Sequence, residues 1–405
     1  MDSVDKLSQP KPTTPECTAY GYVPGKHNAK LVEVMPGTPC GEYLRRYWHP
    51  IALSSEVGRR PQKVKVLGED LILFRDGAGK PGLLYPRCAH RGTNLYYGKT
   101  EEHGIRCCYH GWVFDAEGHC LEQPCEENGG SHRDRIRQPW YPLQERYGLV
   151  FTYMGPPERM PFLPRYDIFE DLQPGYQVFP QRVSGYADLA VDAKLPVPYN
   201  WLQVFENGAD PFHVMILHST FSDYPQFGEA YKVRPNVEFE ALEASILNHA
   251  KHSHNGRMVD QVEELLLPNM KALYPMSIDA GRGRRITWHT PVDDTSFVKF
   301  GATVGRERLV EFDALIMTPQ GKTWSQMTDD EHQVYPGDYE AQASQGLITL
   351  HSEEHLARSD IGVVMLRRML LKEIDAVAAG KDPSGVAFTE EDALVHIGSG
   401  NFYLD

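Results

Sequence analysis

The sequence lacks long apolar runs, a basic charge excess and a recognisable export signal. No stretch approaches the ~20 apolar residues that a membrane-spanning helix needs. The N-terminal residues MDSVDKLSQPKPTTPE contain neither a basic region nor an apolar segment, unlike a secretory signal. Lys and Arg number 41 against 55 Asp and Glu, a formal net charge of −14, which argues against nucleic acid as a partner. We expect a cytoplasmic protein that binds neither membranes nor nucleic acid.

Cysteine is also scarce, and its distribution does not indicate disulfides. The seven cysteines are at positions 17, 40, 88, 107, 108, 120 and 125, and no framework of pairs is evident. This usage fits a reducing compartment. The chain has no internal repeat and no Gly-x-Gly-x-x-Gly after a strand-like run, so no flavin or nicotinamide site is indicated.

Two short motifs that combine cysteine and histidine are the strongest signal in the chain. Cys88 and His90 form Cys-x-His, and after sixteen intervening residues Cys107 and His110 form Cys-x-x-His. This is the ligand set of a [2Fe–2S] centre in which two histidines replace two cysteines on one iron. Structural zinc is the alternative, but classical zinc spacings keep the cysteines together and the histidines together. We assign Cys107 as the ligand and expect Cys108 to be a small buried neighbour.

A second motif, Asp-x-x-His-x-x-x-x-His, comprises Asp210, His213 and His218. Asp210 and His213 would share one face of a helix, whereas His213 and His218 would be roughly 140° apart on a regular α-helix. If both histidines bind one metal, the helix must contain a break or a wide turn, and such bulges gather at functional sites. Two histidines and one distant carboxylate form the facial triad of non-haem Fe(II) oxygenases. Taken singly, each histidine could equally be an ordinary packed or surface residue.

These motifs carry a resemblance to one family. Residues 85–118 and 199–218 resemble the Rieske domain and the mononuclear-iron motif of ring-hydroxylating oxygenase α subunits. The resemblance is to the phthalate-dioxygenase-like branch, near the lignin-biaryl O-demethylases and phenoxybenzoate dioxygenases. It implies that Gly92 and Gly111 let the two loops approach the cluster. It also implies that Tyr109 donates a hydrogen bond to a ligand sulfur and that Trp112 packs beneath the cluster.

The resemblance also supplies the third iron ligand. The family places a carboxylate in a late helix after a Glu-His-Leu element, and Asp360 matches that position. An acidic residue near a helix start is also an ordinary cap. Glu353 and Glu354 are the competing carboxylates.

Strand and turn signals indicate two folded units. Short β-rich runs separated by tight turns, among them 63–67 and 71–75, predict a small antiparallel β domain up to about residue 155. The Pro-rich segment 156–164 marks the boundary. We predict a loose segment at 1–28, a Rieske domain with a lead-in helix at 29–155, and a catalytic domain at 156–405. The patterns support α+β, and the resemblance implies a helix-grip fold for the second domain.

The resemblance implies a terminal oxygenase with a [2Fe–2S] Rieske cluster and mononuclear Fe(II). Such an enzyme activates O₂ with electrons that come from NAD(P)H through a separate reductase. Asp210 would link the cluster of one subunit to the iron of the next in a homotrimer, and Asn207 belongs to the same motif. The expected reaction is O-demethylation or another monooxygenation of an aromatic, carboxylated substrate. The alternatives are cis-dihydroxylation of the ring and an iron–sulfur electron-transfer protein without catalysis.

The residues that hold the substrate are less clearly indicated. Arg182, Lys194, His249 and His252 are candidates for binding a carboxylate, although each could equally be a surface residue.

Overall fold

The computed structural model describes residues 19, 21–183, 196–225, 227–275, 277–308, 318–322 and 324–404. Lys194 and most of the predicted loose segment 1–28 lie outside these residues. Among the helices that are described, none is both long and apolar enough to cross a bilayer.

The first half of the chain is built from short antiparallel strands. Two four-stranded sheets and one three-stranded sheet lie between residues 48 and 153. Their strands are Trp48–Leu53, Gln62–Val66, Glu69–Arg75, Pro81–Leu84, Lys99–Thr100, Ile105–Arg106, Val113–Phe114, Cys120–Glu122, Trp140–Tyr141, Leu143–Arg146 and Leu149–Tyr153. The hairpin between the second and third strands turns at Leu67 and Gly68, which both have positive φ, as the tightest hairpin turns require.

The lead-in helix is shorter than the sequence suggests. Helices span Ala29–Val32 and Pro39–Leu44, and the second begins with Pro39 behind the capping residue Thr38. Pro50 lies in strand Trp48–Leu53. The register of that strand against Leu149–Tyr153 shifts between Pro50 and Ala52, and such an irregularity is where a strand tolerates proline.

The second half is dominated by one antiparallel sheet. Along the sheet the strands follow the order Gln177–Val183, Ser296–Gly305, Arg285–Asp293, Met270–Leu273, Arg257–Leu266, Ser245–His254 and Asn236–Ala241, and Gly400–Tyr403 also pairs with Arg257–Leu266. A separate parallel pair joins Arg165–Tyr166 and Leu394–Val395.

Helices and short helical turns connect the strands along the chain. The helices are Asp167–Glu170, Trp201–Glu206, the π-helix Val214–Phe221, Asp329–Val334, Asp338–Ala343 and Ile361–Ala378. The single 3₁₀ turns are Ser54–Glu56, Leu95–Tyr97, Glu127–Gly129, Arg133–Arg135, Pro157–Arg159, Asn207–Ala209, Glu229–Lys232, Ile278–Ala280, Trp324–Gln326, His351–Glu353 and Arg358–Asp360.

The long helix Ile361–Ala378 is amphipathic and packs into the main core. Val363, Leu366, Leu370 and Ile374 recur at helical spacing and belong to the same buried cluster as sheet and lead-in residues. The helix therefore closes over the sheet, and the fold is α+β with the expected helix-grip arrangement. Ile361, the first residue of the helix, is 49 % exposed, so the buried apolar face begins at Val363.

The two units are in contact. The backbone N–H groups of Leu67 and Gly68 donate to the carbonyls of Pro291 and Val292, at 3.0 and 2.8 Å. The largest buried cluster also draws residues from both halves of the chain. The domain bounds 29–155 and 156–405 remain a prediction.

Candidate cluster-binding and iron-binding sites

The two cysteine–histidine motifs form matching loops. The N–H of Gly92 donates to the carbonyl of Cys88 at 2.8 Å, and that of Gly111 donates to the carbonyl of Cys107 at 3.1 Å. Both glycines are left-handed, with φ of 76° and 72°. A Cβ on Gly111 would lie 2.7 Å from Pro124, so the turn needs glycine there for space as well as for conformation.

The loops bring like ligands together. Cys88 and Cys107 are buried, and their thiols share a hydrogen bond. The rings of His90 and His110 lie with centroids 4.6 Å apart. Burial raises the pKa of the Cys88 thiol to about 11, so bound cations are needed to hold thiolates there. A sulfur pair beside an imidazole pair is what a [2Fe–2S] cluster with two cysteines on one iron and two histidines on the other requires.

The residues around these loops correct two expectations. Trp112 is buried and stacks on His90 at 4.4 Å, in keeping with packing beneath the site. Cys108, expected to be buried, is exposed, whereas Cys107 is buried. Tyr109 makes no hydrogen bond to a ligand thiol within the described part of the chain. Its ring, 58 % exposed, lies 3.9 Å from that of His110.

The π-helix Val214–Phe221 brings the two histidines of the second motif together. Its i→i+5 bonding, seen where the N–H of Ser222 donates to the carbonyl of Leu217, places residues five apart on one face. The rings of His213 and His218 consequently lie 5.4 Å apart. The wide turn predicted from the five-residue spacing is present.

A carboxylate completes a convergent group. Nε2 of His218 and Nε2 of His213 lie 3.2 and 3.8 Å from Oδ1 of Asp338. The three donor atoms all lie within 4.8 Å of one another. Burial alone would raise the pKa of the Asp338 carboxyl, but the two histidines outweigh burial and hold it far below its ordinary value. Two imidazoles and one carboxylate fit the facial-triad ligand set of non-haem iron.

The hydrogen bonding of this group fits a bound cation. Oδ1 of Asp338 is buried and has no well-aligned hydrogen-bond donor among the described residues. The ring of His218 is fixed by stacking on Phe227, at 4.7 Å and nearly parallel. A metal ion between the three side chains would satisfy the carboxylate oxygen that is otherwise without a donor.

The structure places Asp338, rather than the expected Asp360, beside the two histidines. Asp360 closes the short turn before helix Ile361–Ala378, where its Oδ2 accepts the N–H of Ala357 at 2.6 Å. The competing carboxylates are also engaged elsewhere. Glu354 pairs with Arg367, and Glu353 accepts the N–H of Gly25.

Tertiary contacts rather than a motif position Asp338. It is the first residue of helix Asp338–Ala343. Just before it, the carbonyl of Pro336 accepts from Ser222 Oγ at 2.7 Å, and that of Tyr335 accepts from Tyr224 Oη at 2.8 Å. The only sequence signal is an acidic residue after a Pro-Gly turn, which is equally typical of an ordinary helix start.

Asp210 and Asn207 lie beside the histidine pair. His213 Nδ1 donates to the backbone carbonyl of Asp210, which orients the ring. The Asp210 carboxylate caps the next turn by accepting the N–H of Phe212 at 3.0 Å, and its Oδ2 is 4.0 Å from His213 Nδ1, too far for a hydrogen bond. Asn207 ends helix Trp201–Glu206 and lines the cavity beside the histidines.

A cavity of about 860 Å³ includes His213, His218 and Asp338 in its wall. Aromatic and aliphatic side chains such as Phe179, Phe227 and Phe297 form much of the lining. The charged lining is mainly basic, with seven Lys and Arg side chains against three Asp and Glu. Its size and composition suit an organic molecule that carries an aromatic ring and a negative charge.

Three of the four carboxylate-binding candidates from the sequence already interact with other side chains. Arg182 pairs with Glu56 at 2.8 Å, His249 with Asp260 at 2.9 Å, and His252 Nε2 with Gln261 at 2.7 Å. Lys194 lies outside the described residues.

Comparison with known proteins identifies the family of this chain. Residues 47–144 match the family described as "Rieske [2Fe-2S] domain". The chain is 54 % identical to the phenoxybenzoate dioxygenase subunit alpha of Ectopseudomonas oleovorans, over 95 % of this chain and 94 % of that protein. It is 35 % identical to a tert-butanol monooxygenase / tert-amyl alcohol desaturase oxygenase subunit of Aquincola tertiaricarbonis, over 89 % and 78 % of the two chains.

A third relative and a solved structure extend the comparison. The 5,5'-dehydrodivanillate O-demethylase oxygenase subunit of a Sphingobium species is 31 % identical, over 89 % of this chain and 82 % of that protein. The crystal structure of dicamba monooxygenase bound to dicamba is 18 % identical with a TM-score of 0.59, covers 84 % of this chain and 99 % of that one, and shows the shared fold. The chain belongs to the Rieske oxygenases, as a terminal oxygenase α subunit that uses a [2Fe–2S] cluster and mononuclear iron and takes its electrons from an external reductase.

Proposed function

We propose that this oxygenase oxidises an aromatic ether acid at the carbon bonded to the ether oxygen. The observation that carries the proposal is the 860 Å³ cavity, which combines aromatic walls and a basic lining with the His213–His218–Asp338 group. The names of two relatives support the class: phenoxybenzoate is a diaryl ether acid, and dehydrodivanillate is a methoxylated aromatic acid.

We assign the cofactors to seven side chains. Cys88, Cys107, His90 and His110 hold the cluster, and His213, His218 and Asp338 hold the iron. When bound, the cluster supplies single electrons and the iron supplies the centre at which dioxygen is reduced. The backbone carbonyl of Asp210 keeps His213 oriented, and such outer contacts tune how firmly a ligand is held. The aromatic walls exclude water from the reacting carbon.

The overall reaction follows from the organic chemistry of ethers. For a methyl aryl ether, O₂ with two electrons and two protons gives a hydroxymethyl ether and water, and the hydroxymethyl ether releases formaldehyde and a phenol. For a diaryl ether, O₂ with two electrons and two protons adds a hydroxyl group at the ether-bearing carbon and at its neighbour, and the resulting diol expels a phenol and leaves a catechol. The 54 % identity to a phenoxybenzoate dioxygenase subunit supports dioxygenation of a diaryl ether as the alternative to demethylation.

We also propose that the enzyme is a homotrimer in which the cluster of one chain serves the iron of the next. The Asp210 side chain, 33 % exposed, and the exposed Tyr109 beside His110 place both sites near the surface of the chain. The partners would be dioxygen, the aromatic acid and a reductase of the flavin or ferredoxin type, and the location would be the cytoplasm.

Product analysis tests the reaction. Purified protein is supplied with NADH, a surrogate ferredoxin and its reductase, and oxygen uptake is measured with methoxybenzoates and phenoxybenzoates. We expect uptake matched by one equivalent of product: formaldehyde for demethylation, or a phenol together with a catechol for dioxygenation. A dihydrodiol that keeps the ether bond intact would contradict attack at the ether-bearing carbon. If none of these acids stimulates oxygen uptake, the proposed substrate class is wrong.

A further inference from the structure

Two polar residues face each other on the cavity floor. Lys271 on strand Met270–Leu273 pairs with Thr287 on strand Arg285–Asp293, so their side chains share one face of the sheet. Both line the same cavity as the iron-binding group. Lys271 is 7 % exposed and Thr287 is fully buried.

Neither side chain has its hydrogen-bonding capacity filled. Thr287 Oγ is buried without a hydrogen-bond partner. In the portion of the chain that is described, Lys271 Nζ has no carboxylate within ion-pair distance and makes no hydrogen bond. Buried polar groups are almost always paired, and a buried ammonium without a partner is destabilising. Two adjacent donors in the wall of one cavity therefore indicate that a ligand supplies the acceptor.

The electrostatic surroundings favour an anionic acceptor. Burial lowers the pKa of Lys271, and the charge of nearby Glu263 counteracts this shift. Burial also raises the pKa of Glu263, which weakens that carboxylate as a permanent counter-charge. Lys299, on the strand beyond Thr287, adds positive charge, and Asp338 is taken up by the iron site.

We infer that Lys271 and Thr287 form the subsite that binds the carboxylate of the substrate. Nζ and Oγ–H donate to the carboxylate oxygens, and the aromatic part of the substrate extends from the sheet towards His213 and His218. The inference rests on the proposed function and adds the residues that select acids over neutral ethers. Because the anchor and the iron ligands are fixed in one cavity, it also predicts discrimination between positional isomers of the acid.

Binding measurements test the subsite without requiring turnover. The probes are the phenoxybenzoate isomers and the matching phenoxybenzamides, titrated calorimetrically into the full-length holoprotein. In the wild type the acid should bind more tightly than the amide. Lys271→Met should weaken acid binding at least tenfold and leave amide binding nearly unchanged. Lys271→Arg should restore part of the acid preference, and Thr287→Val should give a smaller loss in the same direction.

A matched control is available in the same cavity. Lys322 also lines it, but its Nζ already lies 2.5 Å from Glu331, so Lys322→Met should leave the acid preference intact. The visible spectrum of the cluster reports that each variant is folded. The subsite assignment is wrong if Lys271→Met weakens the binding of the acid and the amide equally, or if it weakens the binding of neither. The oxygenase proposal stands in both cases. If the wild type binds the amide as tightly as the acid and oxidises the amide at the ether carbon, the requirement for a carboxylate is wrong and the proposed reaction stands. If neither probe binds and neither is oxidised, the proposed substrate class itself fails.

Discussion

At the residue scale, His213 is oriented by a backbone group rather than by a side chain. Its Nδ1 donates to the carbonyl of Asp210, while the Asp210 carboxylate is occupied with the N–H of Phe212. The backbone contact is independent of the Asp210 side chain, so a change in the charge of the carboxylate leaves the orientation of His213 unchanged. This separation allows the two roles to be tested apart.

We expect Asp210→Asn to retain both metal centres and to slow substrate-coupled turnover at least tenfold. The asparagine Oδ1 can still accept the N–H of Phe212, and the carbonyl still orients His213, so only the negative charge is lost. Metal analysis and product formation under saturating reductase measure the two effects. Normal turnover in a variant with full iron content would show that the carboxylate does not link the centres.

Asp338 is the carboxylate that we expect to hold the mononuclear iron. Asp338→Asn should reduce iron from about three to about two per chain, because the cluster keeps its own two irons. Asp360→Ala is the control, since Asp360 closes a turn and should leave the iron content unchanged. Elemental analysis and the visible cluster spectrum provide the readout. Loss of one iron from the Asp360 variant alone would reverse the assignment.

At the element scale, the site depends on hydrogen bonds between two segments of the chain. The π-helix Val214–Phe221 carries His218, and the residues after it, Ser222 and Tyr224, donate to the carbonyls of Pro336 and Tyr335. These bonds hold the start of helix Asp338–Ala343 against the histidines. They act on the ligand geometry without contacting the metal.

We expect Ser222→Ala combined with Tyr224→Phe to weaken binding of the mononuclear iron by about tenfold or more. Removing outer contacts of metal ligands typically costs 10–100-fold in affinity, and each lost hydrogen bond is worth about 1 kcal/mol. Competition with a chelator measures the affinity, and the cluster spectrum should stay unchanged. Thr328→Ala, at the cap of the neighbouring helix Asp329–Val334, is the control. Equal iron retention in the double variant and the wild type would mean that these bonds do not position Asp338.

At the scale of the whole molecule, the proposed trimer predicts that two inactive variants restore activity when they assemble together. A chain with Cys107→Ala lacks its cluster, and a chain with His213→Ala lacks its iron; each alone should be inactive. In trimers co-expressed at equal amounts, about one quarter of the subunit junctions pair an intact cluster with an intact iron site. We expect about a quarter of wild-type activity in the mixture. Persistent inactivity in verified mixed trimers would place electron transfer within one chain.

The sequence anticipated the parts of the sites that are local. The cysteine–histidine loops depend on short spacings and two left-handed glycines, and the five-residue histidine spacing already required a wide helical turn. It did not point to Asp338, because an acidic residue at a helix start looks the same whether it caps a turn or lies beside a metal site. It was wrong about Cys108, because the spacing alone does not indicate which side of the loop is buried.

By itself, therefore, the sequence determined the cofactor chemistry and the α+β fold class, because the cysteine and histidine motifs are residue types at fixed short separations and the strand and helix patterns are local. Only the tertiary structure decided which distant carboxylate lies beside His213 and His218 and which cations line the cavity. Those depend on how helix Asp338–Ala343 and strands Met270–Leu273 and Arg285–Asp293 are brought together. Packing and long-range hydrogen bonds control that arrangement, and they leave no periodic pattern in the chain.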